Sequence, residues 1–203
     1  MAKNLYSSLA PLPPNSLGKA RILDVACGTG DLSFTLFESG RASIVGIDFC
    51  RPMLEIASSK ASTRGSEVPF IEGDALSLPF LDCSFEAVTI AFGLRNLASV
   101  DGGLAELFRV LKPGGRVVVL EFSKPTTPVL RSLFSIYFTR VLPIFGGLIS
   151  GSKSAYEYLP ESVSRFPDQS ELSAMMKHIG FQEVAFQNLS GGIAALHLGM
   201  RPL

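Results

Sequence analysis

The sequence predicts an α/β fold: a mostly parallel sheet flanked by helices and finished by an antiparallel hairpin, all within one domain spanning residues 1–203. Three observations carry that prediction. Short apolar runs alternate with segments of helical periodicity from residue 21 to 123, which is the pattern of β–α–β winding. The turn "DVACGTGD" (24–31) lies between an apolar run and a helical one, the context that a nucleotide site requires. The stretch 182–202 holds two apolar segments about a Gly191–Gly192 pair, the signature of a hairpin.

Each element follows from its own residues. Residues 1–20 read as a Pro-rich leader, a short helix and then a loop through "PLPPNSLGK". Ile22, Leu23 and Val25 make a buried strand over 21–26. After Cys27 the chain must turn, and Gly28 and Gly30 permit angles and approaches that a side chain forbids. Leu32, Leu36 and Phe37 recur at helical spacing, so a helix covers 31–38. "SIVGID" is a strand over 43–48, followed by a helix over 51–61 and a short strand at 68–71. A strand is expected at 86–91, a helix at 101–111 and a strand at 115–122. "KPGG" (112–115) stops that helix and turns the chain into the apolar "RVVVLEF". Residues 124–160 read as an amphipathic helical insertion. "DQSELSAMMKHIGF" is a capped helix with Gly180 past its end. Crossovers between parallel strands are right-handed.

The totals exclude some classes of function. The formal net charge is zero and no basic run occurs, so no nucleic-acid footprint is present. Charged residues are only 18% of the chain and hydrophobic ones 47%, which fits either a large core or an apolar surface for a greasy substrate or a membrane. Cys27, Cys50 and Cys83 are odd in number and form no C-x-x-C. Neither a disulfide framework nor a metal site is expected, and a reducing, cytoplasmic compartment is the simple reading. The first twenty residues hold no apolar core of signal-peptide type. The most apolar segment, 129–149, is broken by Arg131, Arg140 and Pro143 and makes a poor membrane span.

The glycine turn indicates which nucleotide. A dinucleotide fingerprint is G-x-G-x-x-G, whereas this chain has Asp24-x-Ala26-x-Gly28-x-Gly30 followed by Asp31. An acid at the helix start repels a pyrophosphate and suits a cationic ligand end, an ammonium or a sulfonium. A hydride-transferring dehydrogenase is disfavoured for the same reason. Asp48 ends the second strand, where an acid accepts from ribose hydroxyls. Asp74 follows the third strand and is placed to meet an adenine amino group. Acids at three successive strand ends, without a P-loop lysine, point to a nucleoside carrying positive charge. S-adenosylmethionine fits that description.

"DVACGTGD", "GDALSLPFLDCSFEAVTIAFGLRN", "FRVLKPGGRVVVLEFSKP", "YEYLPESVSRFPDQSELSAMM" and "GGIAALHLG" resemble the UbiE/MenG family, the S-adenosylmethionine-dependent C-methyltransferases of menaquinone and ubiquinone biosynthesis. The resemblance runs from about residue 20 to the end. Its glycine motif marks only the superfamily; "FGLRN", "LEFSKP" and "YEYLPES" are more specific. It implies a Rossmann-like class I methyltransferase fold. It also implies that Thr29, Asp48, Asp74, Ala75 and Ala91 match cofactor-contacting positions, beside Asp24, Gly28 and Gly30 of the turn. Arg95 and Asn96 match the pair that the family places near the substrate ring. Members carry an aromatic N-terminal segment that folds over cofactor and substrate, and "KNLYSSLAPLPPNS" is read as its tail.

The implied reaction moves a methyl from a sulfonium to a ring carbon of a prenylated quinol, and no metal is needed. The quinol becomes nucleophilic by losing a hydroxyl proton. Arg95 is a poor base, since arginine stays protonated, but it suits an oxyanion or a water that takes the proton. Asn96 suits the same water or the substrate oxygen. His197 suits a titrating base near neutral pH, but a partly buried strand histidine with a satisfied hydrogen bond is the favoured reading, and His178 reads as a solvated one. Glu121 ends the fifth strand; substrate contact and a structural hydrogen bond are both open. The apolar side chains between 126 and 149 suit a channel for a prenyl tail, a surface in the bilayer, or a packed helical pair, with Arg131, Arg140 and Lys153 near lipid headgroups in the second case. A homodimer and peripheral contact with the membrane are left open. Two other functions also stay open: methylation of a different small apolar acceptor, and a cofactor-binding but inactive partner of other quinone enzymes.

Overall fold

The structure is a computed structural model that describes residues 20–40, 42–125 and 162–203. Seven strands form one sheet: β1 (Ala20–Val25), β2 (Ala42–Asp48), β3 (Phe70–Glu72), β4 (Phe85–Ala91), β5 (Leu111–Phe122), β6 (Gln182–Leu189) and β7 (Ala194–Met200). Among the described residues, helices of eight residues or more pack beside it: α1 (Asp31–Glu38), α2 (Arg51–Arg64), α3 (Val100–Val110) and α4 (Gln169–Ile179). The strand order is β3-β2-β1-β4-β5-β7-β6. The first five strands run parallel, and β7 lies antiparallel between β5 and β6.

Burial explains the parallel part. Every residue of β4 except Ala91 is buried, as are Val117 to Glu121 of β5, as expected for strands covered on both faces. Alternate side chains feed two cores. Leu23, Val25, Val88 and Val119 pack with Leu104, Leu107, Leu172 and Met176 on the side of α3 and α4. Ile22, Ile44, Ala87 and Val118 pack with Leu36 on the side of α1. At 25 cal/mol per Å², each such Val, Leu, Ile or Met side chain contributes about 1.5–3 kcal/mol against exposure. β6 is mostly exposed, as an edge strand is.

Local signals set the ends of the helices. Ser99 caps α3 by accepting from the Gly102 N–H. Asp168 and Glu171 form a reciprocal capping box at α4, and Gly180 ends it at φ 117°. The "KPGG" turn is the one clear departure from expectation. It lies inside β5, whose pairing with β4 shifts register between Phe85 and Ala87. The tertiary reason is that Gly114 N–H donates to the Arg201 carbonyl and Arg201 N–H to the Gly115 carbonyl, so the turn is drawn into the sheet as an irregularity. The leader up to residue 19 and all but the first two residues of the insertion expected over 124–160 lie outside the described residues.

Candidate active site

The chain winds outward from β1 in both directions, so β1 and β4 are neighbours at the point where the strand order reverses. Ligands bind at such points, beyond the C-terminal ends of the strands. A cleft of about 340 Å³ opens there. Gly28, Asp48, Asp74, Ala75 and Asn96 lie on its wall, together with Phe49, Cys50, Met53 and Phe92.

Asp48 organises the floor. Its Oδ2 accepts the Gly28 N–H at 2.8 Å and its Oδ1 the Cys50 N–H at 2.9 Å. An ionised carboxylate accepts about four hydrogen bonds, so acceptor capacity remains for a vicinal diol. Gly28 has φ +55° and nothing within 4 Å of where a Cβ would stand, so a ligand can approach its backbone closely. Asp74 is turned by its own Oδ1, which accepts the Leu76 N–H at 2.8 Å. Phe49 is 72% exposed and Met53 41%, large apolar surfaces at the mouth that suit the faces of a base. These features fit S-adenosylmethionine: acids for hydroxyl and amino donors, apolar walls for the ring, and an open backbone at Gly28.

Other expected cofactor contacts lie off this wall. Asp24 is buried below it, accepting from Ser33 Oγ at 2.6 Å and Thr89 Oγ1 at 2.9 Å. Burial lifts its carboxyl to about 6, against the pull of those two hydroxyls. Gly30 is also inside the fold: at φ +81° it begins α1, and a Cβ there would stand 2.6 Å from the Phe70 ring. Thr29 and Asp31 face a different partner. Lys60 Nζ lies 2.9 Å from Thr29 Oγ1 and 2.8 Å from Asp31 Oδ1. Asp31 is held below the usual carboxylate range by that lysine. The acid expected to meet a cationic ligand end is thus matched by a cation of the chain itself. Ala91 ends β4 and does not line the cleft.

A second cavity of about 330 Å³ lies beside the first, lined by Arg95, Asn96, Leu97, Arg165 and Phe166 among others. Asn96 and Leu97 belong to both walls. Arg95 sits in the 3₁₀ turn Leu94–Asn96 with its side chain only 9% exposed. Its Nη1 donates to the Phe92 carbonyl and to Glu121 Oε1, each at 2.5 Å. Its guanidinium carbon lies 5.1 Å from the centre of the Phe122 ring. Glu121 is therefore the partner of Arg95, which gives it the structural hydrogen bond that was one of its two expected roles. Burial lifts Glu121 to about 7, although Arg95 pulls it down.

His197 is buried in β7 with Nε2 3.0 Å from the Gln169 carbonyl. A carbonyl only accepts, so the proton is on Nε2, and burial keeps the ring below its ordinary range and neutral. Its Nδ1 has no partner, so the expected hydrogen bond satisfies one nitrogen of two. His178 is exposed on α4. The three cysteines are free thiols. Among the described residues no group of three or more His, Cys, Asp or Glu could hold a metal ion, and no helix is long and apolar enough to cross a membrane. Sequence reasoning missed Phe49, Cys50 and Met53 on the cleft wall. Their signal was their place directly after Asp48.

Residues 10–201 match the model of the ubiE/COQ5 methyltransferase family. The demethylmenaquinone methyltransferase of Thermus thermophilus is 55% identical over 183 residues, covering 90% of this chain and 83% of that protein. The demethylmenaquinone methyltransferase of Deinococcus radiodurans is 48% identical, covering 88% of this chain and 74% of that one. Among solved structures, the YcgJ protein of Bacillus subtilis superposes with a TM-score of 0.71 at 22% identity, over 100% of this chain and 98% of its own. Phosphoethanolamine N-methyltransferase 2 of Haemonchus contortus, solved with S-adenosyl-L-methionine, superposes with a TM-score of 0.75 at 12% identity, over 100% of this chain and 52% of its own. At those identities the structures attest the fold alone.

Proposed function

The chain belongs to the ubiE/COQ5 methyltransferase family, and from that membership we propose that it methylates a ring carbon of a prenylated quinol, demethylmenaquinol, with S-adenosylmethionine as methyl donor. The family and the named relatives make it an S-adenosylmethionine-dependent methyltransferase. The observation that carries the finer reading is the meeting of two cavities at Asn96 and Leu97, one built around Asp48 and the other around a guanidinium. The donor supplies a methyl made electrophilic by its positive sulfur.

The residues divide the remaining work. Asp48 would accept from the ribose hydroxyls and Asp74 from the adenine amine, while Gly28 admits the ligand against its backbone. Asn96, on both walls, would hold acceptor and donor in register, a positioning effect worth up to roughly 7–11 kcal/mol when geometry is ideal. Arg95 would stabilise the oxyanion that the acceptor becomes as it loses its hydroxyl proton. Such an acceptor resides in a bilayer, so the reading includes a cytoplasmic enzyme with peripheral access to the membrane. The relatives' printed names support the naphthoquinol over the benzoquinol acceptor.

Methyl transfer to reduced demethylmenaquinone in detergent, read by mass spectrometry, tests this. A product heavier by one methyl on carbon is expected. Tight S-adenosylhomocysteine binding without product would favour the inactive-partner reading, and product only with other acceptors would favour a different substrate.

A further inference from the structure

Arg95 poses a chemical problem. It lines the cavity read above as the acceptor site, yet an arginine by itself keeps its proton and is no base. Its surroundings offer a solution. Nη1 is held by the Phe92 carbonyl and Glu121 Oε1, each at 2.5 Å, while Nε is buried with no partner. The guanidinium thus has one nitrogen committed to the interior and another buried N–H unmet, and the residue lines the second cavity. Behind it, Glu121 is 1% exposed and among the described residues has the Phe122 N–H, at 3.2 Å, as its further donor.

We propose that Glu121 is the proton holder behind Arg95: as the acceptor hydroxyl gives its proton to the guanidinium, Arg95 passes its Nη1 proton to Glu121 Oε1. The inference rests on the reading of the second cavity as the acceptor site. The acceptor O–H bond breaks and an N–H bond forms on Nη1, the one nitrogen of Arg95 to which loss of a proton to Glu121 leaves a lone pair. The Nη1–H bond breaks and an O–H bond forms on Glu121. The electron pair stays on the acceptor oxygen and feeds the ring carbon. Arg95 ends as it began, charged, now beside an oxyanion instead of a carboxylate, so the charge in the pocket is conserved throughout. Glu121 touches Arg95 and not the substrate, which makes it a positioning residue that acts through Arg95.

The neighbouring charges leave Glu121 free for this. Among the described residues Arg95 is the charged group that acts on it, and burial outweighs that pull and brings the carboxyl to about 7. β7 presents His197, two positions along the sheet, neutral and bonded to the Gln169 carbonyl. β4 ends beside it at Ala91. Arg165 lines the same cavity as Arg95. Lys124, two residues beyond β5, is exposed, as are Glu171, Lys177 and His178 of α4. A proton acceptor is most effective when its affinity matches the working pH.

The test uses the full chain loaded with S-adenosylhomocysteine and 1-naphthol, a phenol without a tail. In the wild type, naphtholate absorption is expected to appear together with a carboxylic-acid C=O band in the infrared, with no proton released to buffer. In Glu121→Gln both signals are lost. Naphtholate whose proton goes to the buffer, naphthol bound only as the neutral phenol, or an infrared band that survives in Glu121→Gln overturns the proposal. In turnover, the wild-type kcat is expected to fall as pH drops through about 7, and Glu121→Gln to lose about 100-fold in kcat without that limb, with KM within about threefold. An unchanged pH profile in the variant also overturns it. Should Glu121→Gln lose S-adenosylhomocysteine affinity as well, the wild-type infrared measurement decides alone. A wild type that gives the naphthol signals yet methylates no quinol supports the proton holder and removes the quinol reading; one that methylates a quinol without them does the reverse.

Discussion

At the end of β2, Asp48 keeps both carboxylate oxygens on backbone N–H groups, whereas at the end of β5 Glu121 lies against a guanidinium and is shut away from solvent. Backbone donors satisfy an anion without a counter-charge, so Asp48 remains an acceptor for a ligand's hydroxyls. A cation partner in a buried setting instead makes a neutral pair, and in such a pair a proton can move at little electrostatic cost. On the proposed reading, one side of the site holds the donor and the other handles the acceptor's proton. Asp24 is a third arrangement: a buried acid with two hydroxyl donors and no cation.

The largest expected effect breaks the holding side. On the proposed reading, Asp48→Ala would remove the acceptor of the ribose hydroxyls, a loss of at least one hydrogen bond to a charged group, worth about 1.5–3 kcal/mol. S-adenosylhomocysteine affinity by calorimetry is expected to fall by about 100-fold. A loss below about fivefold would make Asp48 a brace for the Gly28 loop and nothing more.

Asp24 sharpens the contrast through pH. Its folded value, about 6, lies above the unfolded 3.8. The stability it contributes is therefore full below the unfolded value and lost as pH rises through the folded one, on the order of 2–3 kcal/mol in all. Denaturant melts of wild type and Asp24→Asn across that range are expected to show the wild type losing ground to the variant as pH passes about 6. A constant difference would mean that Asp24 stays solvated. Glu121 adds a loss of the same sign through about 7 in both proteins.

Gly93 tests the join between the two sides. A Cβ there would stand 2.3 Å from Ala26 Cβ, and both residues line the first cleft. Overpacking of this kind costs about 1–3 kcal/mol, so Gly93→Ala is expected to melt several degrees lower; an unchanged Tm would show that the wall yields. The smallest effect belongs to Lys60. Its pair with Asp31 is exposed, and Lys60→Ala is expected to change S-adenosylhomocysteine affinity less than about twofold. A larger change would return Asp31 and Thr29 to the ligand.

Much of this was legible beforehand. The β1 strand and α1 fall within a residue of where Ile22, Leu23 and Val25 and then Leu32, Leu36 and Phe37 put them. The α4 box and the Gly191–Gly192 turn were also readable. The "KPGG" irregularity was not, because Arg201 claims its backbone from 86 residues away or more.

The sequence by itself determined which elements form, in what order, and which acids stand at strand ends, because side-chain period and backbone geometry act over a few residues. Only the tertiary structure decided which way those acids face. It turned Asp48 and Asp74 to the cleft, drew Asp24 under it between Ser33 and Thr89, and gave Asp31 to Lys60. It also joined Arg95 to Glu121 across 26 positions. That pairing depends on β4 and β5 lying side by side in parallel register with Ala91 opposite Leu120. Strand adjacency is settled by burial of the whole sheet, and no local spacing encodes it.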